Sequence, residues 1–426
     1  TRIVAHTLKS YSSLTFDYPY PKAVSVNAQD QGMEYPMICW NFGRPDEDGK
    51  YTDRVKYGML GVIIHEVGHN FFPMIVNSDE RQWTWMDEGL NSFMDYKAKL
   101  EWESTYPVER GSPKSIVAYM SGDQKNLEPI MTNSETIKQF GNNAYGKPAT
   151  ALNILRETIM GHELFDFAFK TYCERWKLKH PTPADLFRTI EDASAEDLDW
   201  FWRGWFYSID PVDIAIDTVK HAVYDASIAV PAARTMGPRS LAKPEVNSFE
   251  DISKIRNRND KSIVFLTDVD TTLRDFYWRY DRGLEPYDSL TKQPAMAMPA
   301  AEGLTDAEKA KYASANLYEV SFLNKGGLVM PIIVEFTFAD GTKETQKLSA
   351  QIWRKNENKV TSVFLTNKKA VSIQLDPMRE TADIDESNNK WPNVLAPSKF
   401  TMFKMKGFGR GQSIGLSPMQ NAQNKK

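Results

Sequence analysis

The stretch His65-Glu66-Val67-Gly68-His69 decides how the rest of the chain is read. An apolar run, Gly58-Met59-Leu60-Gly61-Val62-Ile63-Ile64, leads into it and predicts a buried helix. Residues four apart on a helix share a face, so His65 and His69 can aim both imidazoles at one point. Glu66 lies one step round, close enough to reach a water bound there. This is the H-E-x-x-H arrangement, two metal-ligating histidines with a general base between them. The second half of the signal is Trp85-Met86-Asp87-Glu88-Gly89-Leu90, in which Glu88 follows His69 after eighteen intervening residues. Glu88 is expected to open a second helical run, Leu90 to Leu100. A carboxylate from that helix completes a His-His-Glu set for one zinc ion and leaves the fourth position to water or substrate.

The combination of H-E-x-x-H, eighteen residues and Glu resembles the gluzincin metallopeptidases. W-M-D-E-G is similar to the W-L-N-E-G of the aminopeptidase N (membrane alanyl aminopeptidase) family. Gln31-Gly32-Met33-Glu34-Tyr35 resembles that family's G-x-M-E-N, with Gln31 at the usual first Gly and Tyr35 at the usual Asn. Tyr145-Gly146-Lys147-Pro148 resembles its Y-x-K-G, with Pro148 at the usual Gly. The four motifs stand in the family's order over roughly half of the chain.

The resemblance implies an α+β fold, with a thermolysin-like, mainly helical zinc peptidase domain followed by a small β-sandwich. It implies zinc-dependent release of amino-terminal residues from peptides. Zinc on His65, His69 and Glu88 brings the pKa of bound water to roughly 7. Glu66 is then expected to take the proton and pass it to the leaving amine. Tyr145 suits the oxyanion, because a phenol donates a hydrogen bond without changing charge. Gly32, Met33 and Glu34 are expected to meet the substrate, Glu34 by binding its free α-amine. The family usually places a large β-domain before this point. Here about thirty residues precede the Glu34 motif, so truncation or cleavage is expected, and that domain counts as a possible partner of the site.

The chain has 426 residues and a net charge of −4. That is enough for two or three domains, and it gives no electrostatic reason to expect nucleic acid. No apolar run approaches a membrane span. The chain begins at Thr1 without a signal-peptide pattern, and it reads as soluble with its compartment open. Cys39 and Cys173 are expected to be unpaired buried thiols. His6, His162, His180 and His221 lack a second ligand at useful spacing.

Taken in order, residues 1–212 read as the peptidase domain. Arg2 to Phe16 has helical spacing, Ala23 to Asn27 and Met33 to Trp40 read as strands, and the zinc helix is expected to close at Pro73. Asn77 to Gln82 reads as a polar connection. Thr182-Pro183-Ala184-Asp185 and Ser194-Ala195-Glu196-Asp197 both read as helix starts. Residues 213–392 read as the β-sandwich, with an irregular insertion over about 226–312. Asp213 to Val223, Leu317 to Leu323, Met330 to Phe338, Thr345 to Trp353, Thr361 to Leu365 and Ala370 to Leu375 are its expected strands, and Ala339-Asp340-Gly341 is a hairpin turn. Asp383 to Asn389 lacks the glycine of a calcium loop and reads as a polar turn. Residues 393–426 read as a tail, flexible or docked.

Two other functions compete with the aminopeptidase. One is a zinc endopeptidase or oligopeptidase on the same metal site. The other is an inactive peptidase-fold binding protein, which the intact His65, Glu66, His69, Glu88 and Tyr145 argue against.

Overall fold

The computed structural model describes residues 1–29, 32–45, 47–108, 110–223, 251–273, 312 and 315–393. Gln31, most of the expected insertion and all but residue 393 of the tail lie outside them. Helix α1 (Arg2–Leu14) buries Ile3, Tyr11 and Leu14 along one side, as its spacing predicts. Strands β1 (Val24–Asn27), β2 (Met33–Tyr35) and β3 (Ile38–Asn41) form a sheet in the order β1-β3-β2, with β1 parallel and β2 antiparallel to β3. The single strand expected from Met33 to Trp40 is therefore a hairpin. Pro36 has no N–H to give to a ladder, and Met37 turns the chain at φ 65°. The turn pairs Glu34 with Cys39 and leaves Glu34 on the edge strand.

Helix α2 (Asp53–Gly68) starts where the Thr52 side chain accepts the Val55 N–H. It ends at Gly68 with His69 as its cap, a turn before Pro73. A Cβ at Gly68 would lie 2.2 Å from the Tyr11 hydroxyl and 2.3 Å from Asn91 Oδ1. Glycine is thus what lets α2 meet α1 and the next helix at this point. That helix, α3 (Glu80–Trp102), begins two turns before Glu88 rather than at it. The polar Asn77 to Gln82 segment contains its cap, Asp79, which accepts the Gln82 N–H. A local break at Trp83 follows before the helix continues.

Helices α4 (Pro113–Met120), α5 (Lys147–Ile154), α6 (His162–Trp176), α7 (Pro183–Ser194) and α8 (Asp199–Tyr207) complete the helical part. Wide π-type turns, Gly141–Gly146 and Leu155–Met160, flank α5. The Thr182 capping box forms as expected. The second expected start does not: Ala195, at φ 56°, closes α7 in the left-handed conformation, and α8 begins only at Asp199. The aromatic run in α8 packs inward, with Phe187 stacked on Trp202 at 4.5 Å between ring centroids. Lys147 is buried, and its Nζ donates to the Ser208 carbonyl at 3.1 Å.

Beyond residue 212 the chain forms strands. Strand β4 (Ile214–Val223) is followed, within the described part of the insertion, by helix α9 (Ile252–Asn259), which is tied to α3 where Tyr96 donates to Asp251. Then come β5 (Asn316–Asn324), β6 (Ile332–Phe338), β7 (Lys343–Leu348), β8 (Lys359–Thr366), β9 (Ala370–Leu375) and β10 (Lys390–Trp391). They make two antiparallel sheets, β4-β5-β8 and β10-β9-β6-β7. The strand expected to run to Trp353 stops at Leu348. A 3₁₀ turn, Ala350–Lys355, then buries Trp353 with its Nε1 on the Met330 carbonyl. The expected hairpin at Ala339 to Gly341 joins β6 to β7 with Gly341 at φ 80°. The fold is mixed helix and sheet. Cys39 and Cys173 are free and buried. Asp383 accepts the Ile214 and Asp385 N–H groups, consistent with a polar turn. Among the described residues, no helix is long and apolar enough to cross a membrane.

The two sheets meet through rings. Phe336 of β6 contacts Tyr318 of β5 and Phe364 of β8, each at 5.5 Å between centroids. The Tyr318 hydroxyl also accepts the Ala370 N–H at 2.7 Å in a buried setting. In Tyr318→Phe that donor is stranded, and stability should fall by about 1–3 kcal/mol. A urea midpoint equal to that of the parent would show that this bond does not hold the junction.

Candidate active site

The last turn of α2 and the middle of α3 bring three side chains together. Ligand atoms of His65, His69 and Glu88 all lie within 4.8 Å of one another. His65 Nε2 is 3.0 Å and His69 Nε2 3.4 Å from Glu88 Oε2. The two imidazoles stand nearly perpendicular, at 86°. Their other nitrogens are engaged elsewhere. His65 Nδ1 is 3.0 Å from Asp95 Oδ2, which also pairs with Lys99 at 3.0 Å. His69 Nδ1 is 2.8 Å from the Phe72 carbonyl oxygen, with Asp87 Oδ1 at 2.9 Å from the same nitrogen. The Phe72 oxygen has hydrogen-bond geometry, whereas Asp87 Oδ1 has no hydrogen-bond partner among the described residues and acts on His69 by charge. With each Nδ1 turned to these acceptors, each Nε2 is left facing the carboxylate. That is how a protein presents imidazoles to a divalent cation, and two nitrogens with one carboxylate suit zinc.

The sequence reading gives Asp87, Asn91 and Asp95 no role at the site. Asp95 lies seven residues after Glu88, on the same face of α3, and that spacing was the available signal. Asn91 donates to the His65 carbonyl at 2.8 Å while its own oxygen receives the Tyr11 hydroxyl at 2.8 Å. This anchors the metal-facing turn of α2 to both neighbouring helices.

Glu66 is buried, and burial pushes its carboxyl up to about 7 against the pull of His65 and His69. It points toward the start of β2: a Cβ at Gly32 would sit 2.6 Å from Glu66 Oε1. Only a glycine lets the strand pass so close. Tyr145 comes from the wide turn before α5, and its hydroxyl donates to Glu88 Oε1 at 2.5 Å. Its ring stacks on His65 at 5.7 Å, with the Arg110 guanidinium 4.6 Å from the ring centroid. Burial raises the phenol well above its ordinary range, and the charge of Glu88 adds to this. The turn is seated where Pro148 meets Gly89, at which a Cβ would lie 2.6 Å from Pro148 Cγ. Pro148 thus fills space against the glycine of W-M-D-E-G.

Glu34 sits beside His69 and Asp87, one ligand atom of each lying within 4.8 Å of the others. Gly32, Met33, Glu34, His65, Glu66, His69, Glu88 and Tyr145 all line one open cavity of about 2000 Å³. These eight are the residues that the sequence put forward for the site. The four remaining histidines stand apart from it: His6 faces the Ala98 carbonyl, His162 joins Glu157, His221 joins Asn316, and His180 lines no part of the cavity.

Residues 4–205 match the peptidase family M1 domain. Probable aminopeptidase 1 of Sulfurisphaera tokodaii is 27% identical over 177 residues, covering 39% of this chain and 22% of that protein. Glutamyl aminopeptidase of Bos taurus is 23% identical over 202 residues, covering 46% of this chain and 21% of the relative. The chain thus spans about a fifth of the length of these curated relatives. Among solved structures, Legionella pneumophila aminopeptidase A in complex with aspartic acid matches with a TM-score of 0.54 at 12% identity. That match covers 99% of this chain and 40% of the other, a likeness of fold.

The role of Asp95 in holding His65 can be measured. Asp95→Ala frees the His65 ring and unpairs Lys99, and zinc affinity should drop by about 10- to 100-fold. Competition against a chelating dye reads this directly, and an unchanged affinity would remove Asp95 from the support of the site.

Proposed function

Taking as premise that this chain belongs to peptidase family M1 through residues 4–205, we infer that it is a zinc-dependent aminopeptidase. One observation carries the reading. Two imidazole nitrogens and a carboxylate converge in a cavity that Glu66, Tyr145 and Glu34 also enter. The division of labour along the chain follows the same reading. Residues 1–212 form a thermolysin-like peptidase unit and residues 213–392 a β-sandwich, supported by the ring contacts between its two sheets. Peptides with a free amino terminus are the proposed substrates.

His65, His69 and Glu88 would hold one zinc ion. When bound, zinc supplies the Lewis acidity that makes water nucleophilic near neutral pH and polarises a carbonyl. Glu66 takes the proton from the attacking water at its carboxylate and returns it to the leaving amine. A carboxyl lifted toward neutrality by burial can serve in both directions. Tyr145 turns its hydroxyl from Glu88 to the oxygen on which negative charge develops. Glu34, beside His69, pairs with the substrate ammonium and so sets the scissile bond one residue from the amino terminus.

Glu66→Gln should keep its zinc and lose about two to four orders of magnitude in turnover. Activity within tenfold of the parent would take Glu66 out of the reaction. Tyr145→Phe should lower kcat by an amount equivalent to roughly 3 kcal/mol with little change in KM. A pure KM effect would make Tyr145 a substrate-positioning group instead. The aminopeptidase reading itself rests on a comparison of one peptide in free and N-acetylated form. The free form should be cleaved and the acetylated one not. Glu34→Ala should narrow the gap by weakening the free form by about 2 to 5 kcal/mol. Equal cleavage of both forms by the parent would point to an endopeptidase.

A further inference from the structure

The cavity is lined by charges of both signs. On the His69 side its wall is acidic, with Glu34 and Asp87 close to that imidazole. Toward His65 stand Asp95 with its partner Lys99, and Arg110 lies over the ring of Tyr145. These two cations are not equivalent. Lys99 is consumed by Asp95 at 3.0 Å. Arg110 is exposed, and among the described residues no carboxylate forms an ion pair with it. It rests on an aromatic surface, since Phe140, 45% exposed, packs edge-on against Tyr145 at 6.0 Å. A guanidinium lying on a ring keeps its N–H fork free in the plane, the geometry that grips a carboxylate with two parallel hydrogen bonds.

We propose that Arg110 receives a carboxylate of the substrate on the leaving-group side of the scissile bond. This rests on the aminopeptidase reading above and deepens it by naming a substrate class. A peptide held by its ammonium at Glu34, beside His69, runs past the donor set toward His65 and Tyr145. Extended chain advances roughly 3.3 Å per residue. The residues just beyond the cleaved bond therefore come level with a guanidinium seated on the Tyr145 ring. The carboxylate is either the free carboxyl terminus of a di- or tripeptide or an acidic side chain at the same place. With Glu34 for the ammonium and Arg110 for the carboxylate, the cavity is matched to short zwitterionic peptides.

Binding and turnover are best measured separately. On the zinc-loaded Glu66→Gln variant, calorimetry compares trialanine, trialanine amide and alanyl-aspartyl-alanine amide. Trialanine should bind about tenfold more tightly than its amide, and adding Arg110→Gln should bring the two within about twofold. Arg110→Lys should restore part of the preference, because charge returns without the fork. If the aspartyl amide binds as well as trialanine, any nearby carboxylate serves; if it binds as weakly as trialanine amide, the carboxyl terminus alone is read. Equal binding of trialanine and its amide with Arg110 in place would overturn the proposal, as would a preference that survives Arg110→Gln at unchanged zinc content and melting temperature. Hydrolysis of alanine p-nitroanilide by the parent, a substrate without a carboxylate, tests the aminopeptidase reading by itself. Its absence beside an intact binding preference would refute that reading and leave Arg110 as the carboxylate site.

Discussion

Everything at the site depends on how closely α2 and α3 approach at Gly68. The Tyr11 hydroxyl and the Asn91 amide occupy the space a side chain would need there. Asn91 then ties the His65 carbonyl into the contact. The two histidines hang from the turn held in this way, so their distance from Glu88 is fixed by backbone packing and by hydrogen bonds behind the rings. No flexible side chain has to be immobilised when a cation arrives. The conformational cost of ordering the donors is met during folding.

Charge gives the site its second constraint. Glu34, Glu66, Asp87, Glu88 and Asp95 crowd around two imidazoles. Burial raises His69's cost of protonation, yet Asp87 and Glu88 override it and lift the imidazole well above its ordinary range. Burial likewise opposes ionisation of Glu88, and hydrogen bonds from the two histidines hold it well below the carboxylate range instead. The cluster thus draws positive charge to the point between Nε2, Nε2 and the carboxylate, where a divalent cation relieves it more completely than protons on the rings.

The legibility of this arrangement in the sequence follows the range of the interactions. His65, Glu66 and His69 belong to a single helical turn, and a period of 3.6 residues suffices to read them. Glu88, Tyr145 and Glu34 were legible only through motifs, because nothing local says that separate segments meet. Asp95 and Asn91 act across helices and leave no trace beyond their spacing from Glu88. Local misreadings have local causes. Asp79 was hidden in a polar stretch that reads equally well as loop. Met37 adopts a positive φ that its side chain does not advertise, and Ala195 does the same at the end of α7. Trp353 looks like the end of a strand, since β-propensity cannot tell an aromatic in a ladder from one folded under it.

Lys147 carries a different consequence. Its ammonium lies in the interior with the Ser208 carbonyl as acceptor, and burial draws its pKa down to about 8, against a weak opposing pull from Asp210. An unfolded lysine keeps its proton to about 10.4. Between those two limits the folded chain binds fewer protons than the unfolded one, so this residue favours folding increasingly as pH rises through that window. Folding in mildly alkaline solution must then expel a proton at Lys147. The heat of unfolding there will include that of the buffer that supplies the proton back, and buffers of different ionisation enthalpy will report different heats for the same transition.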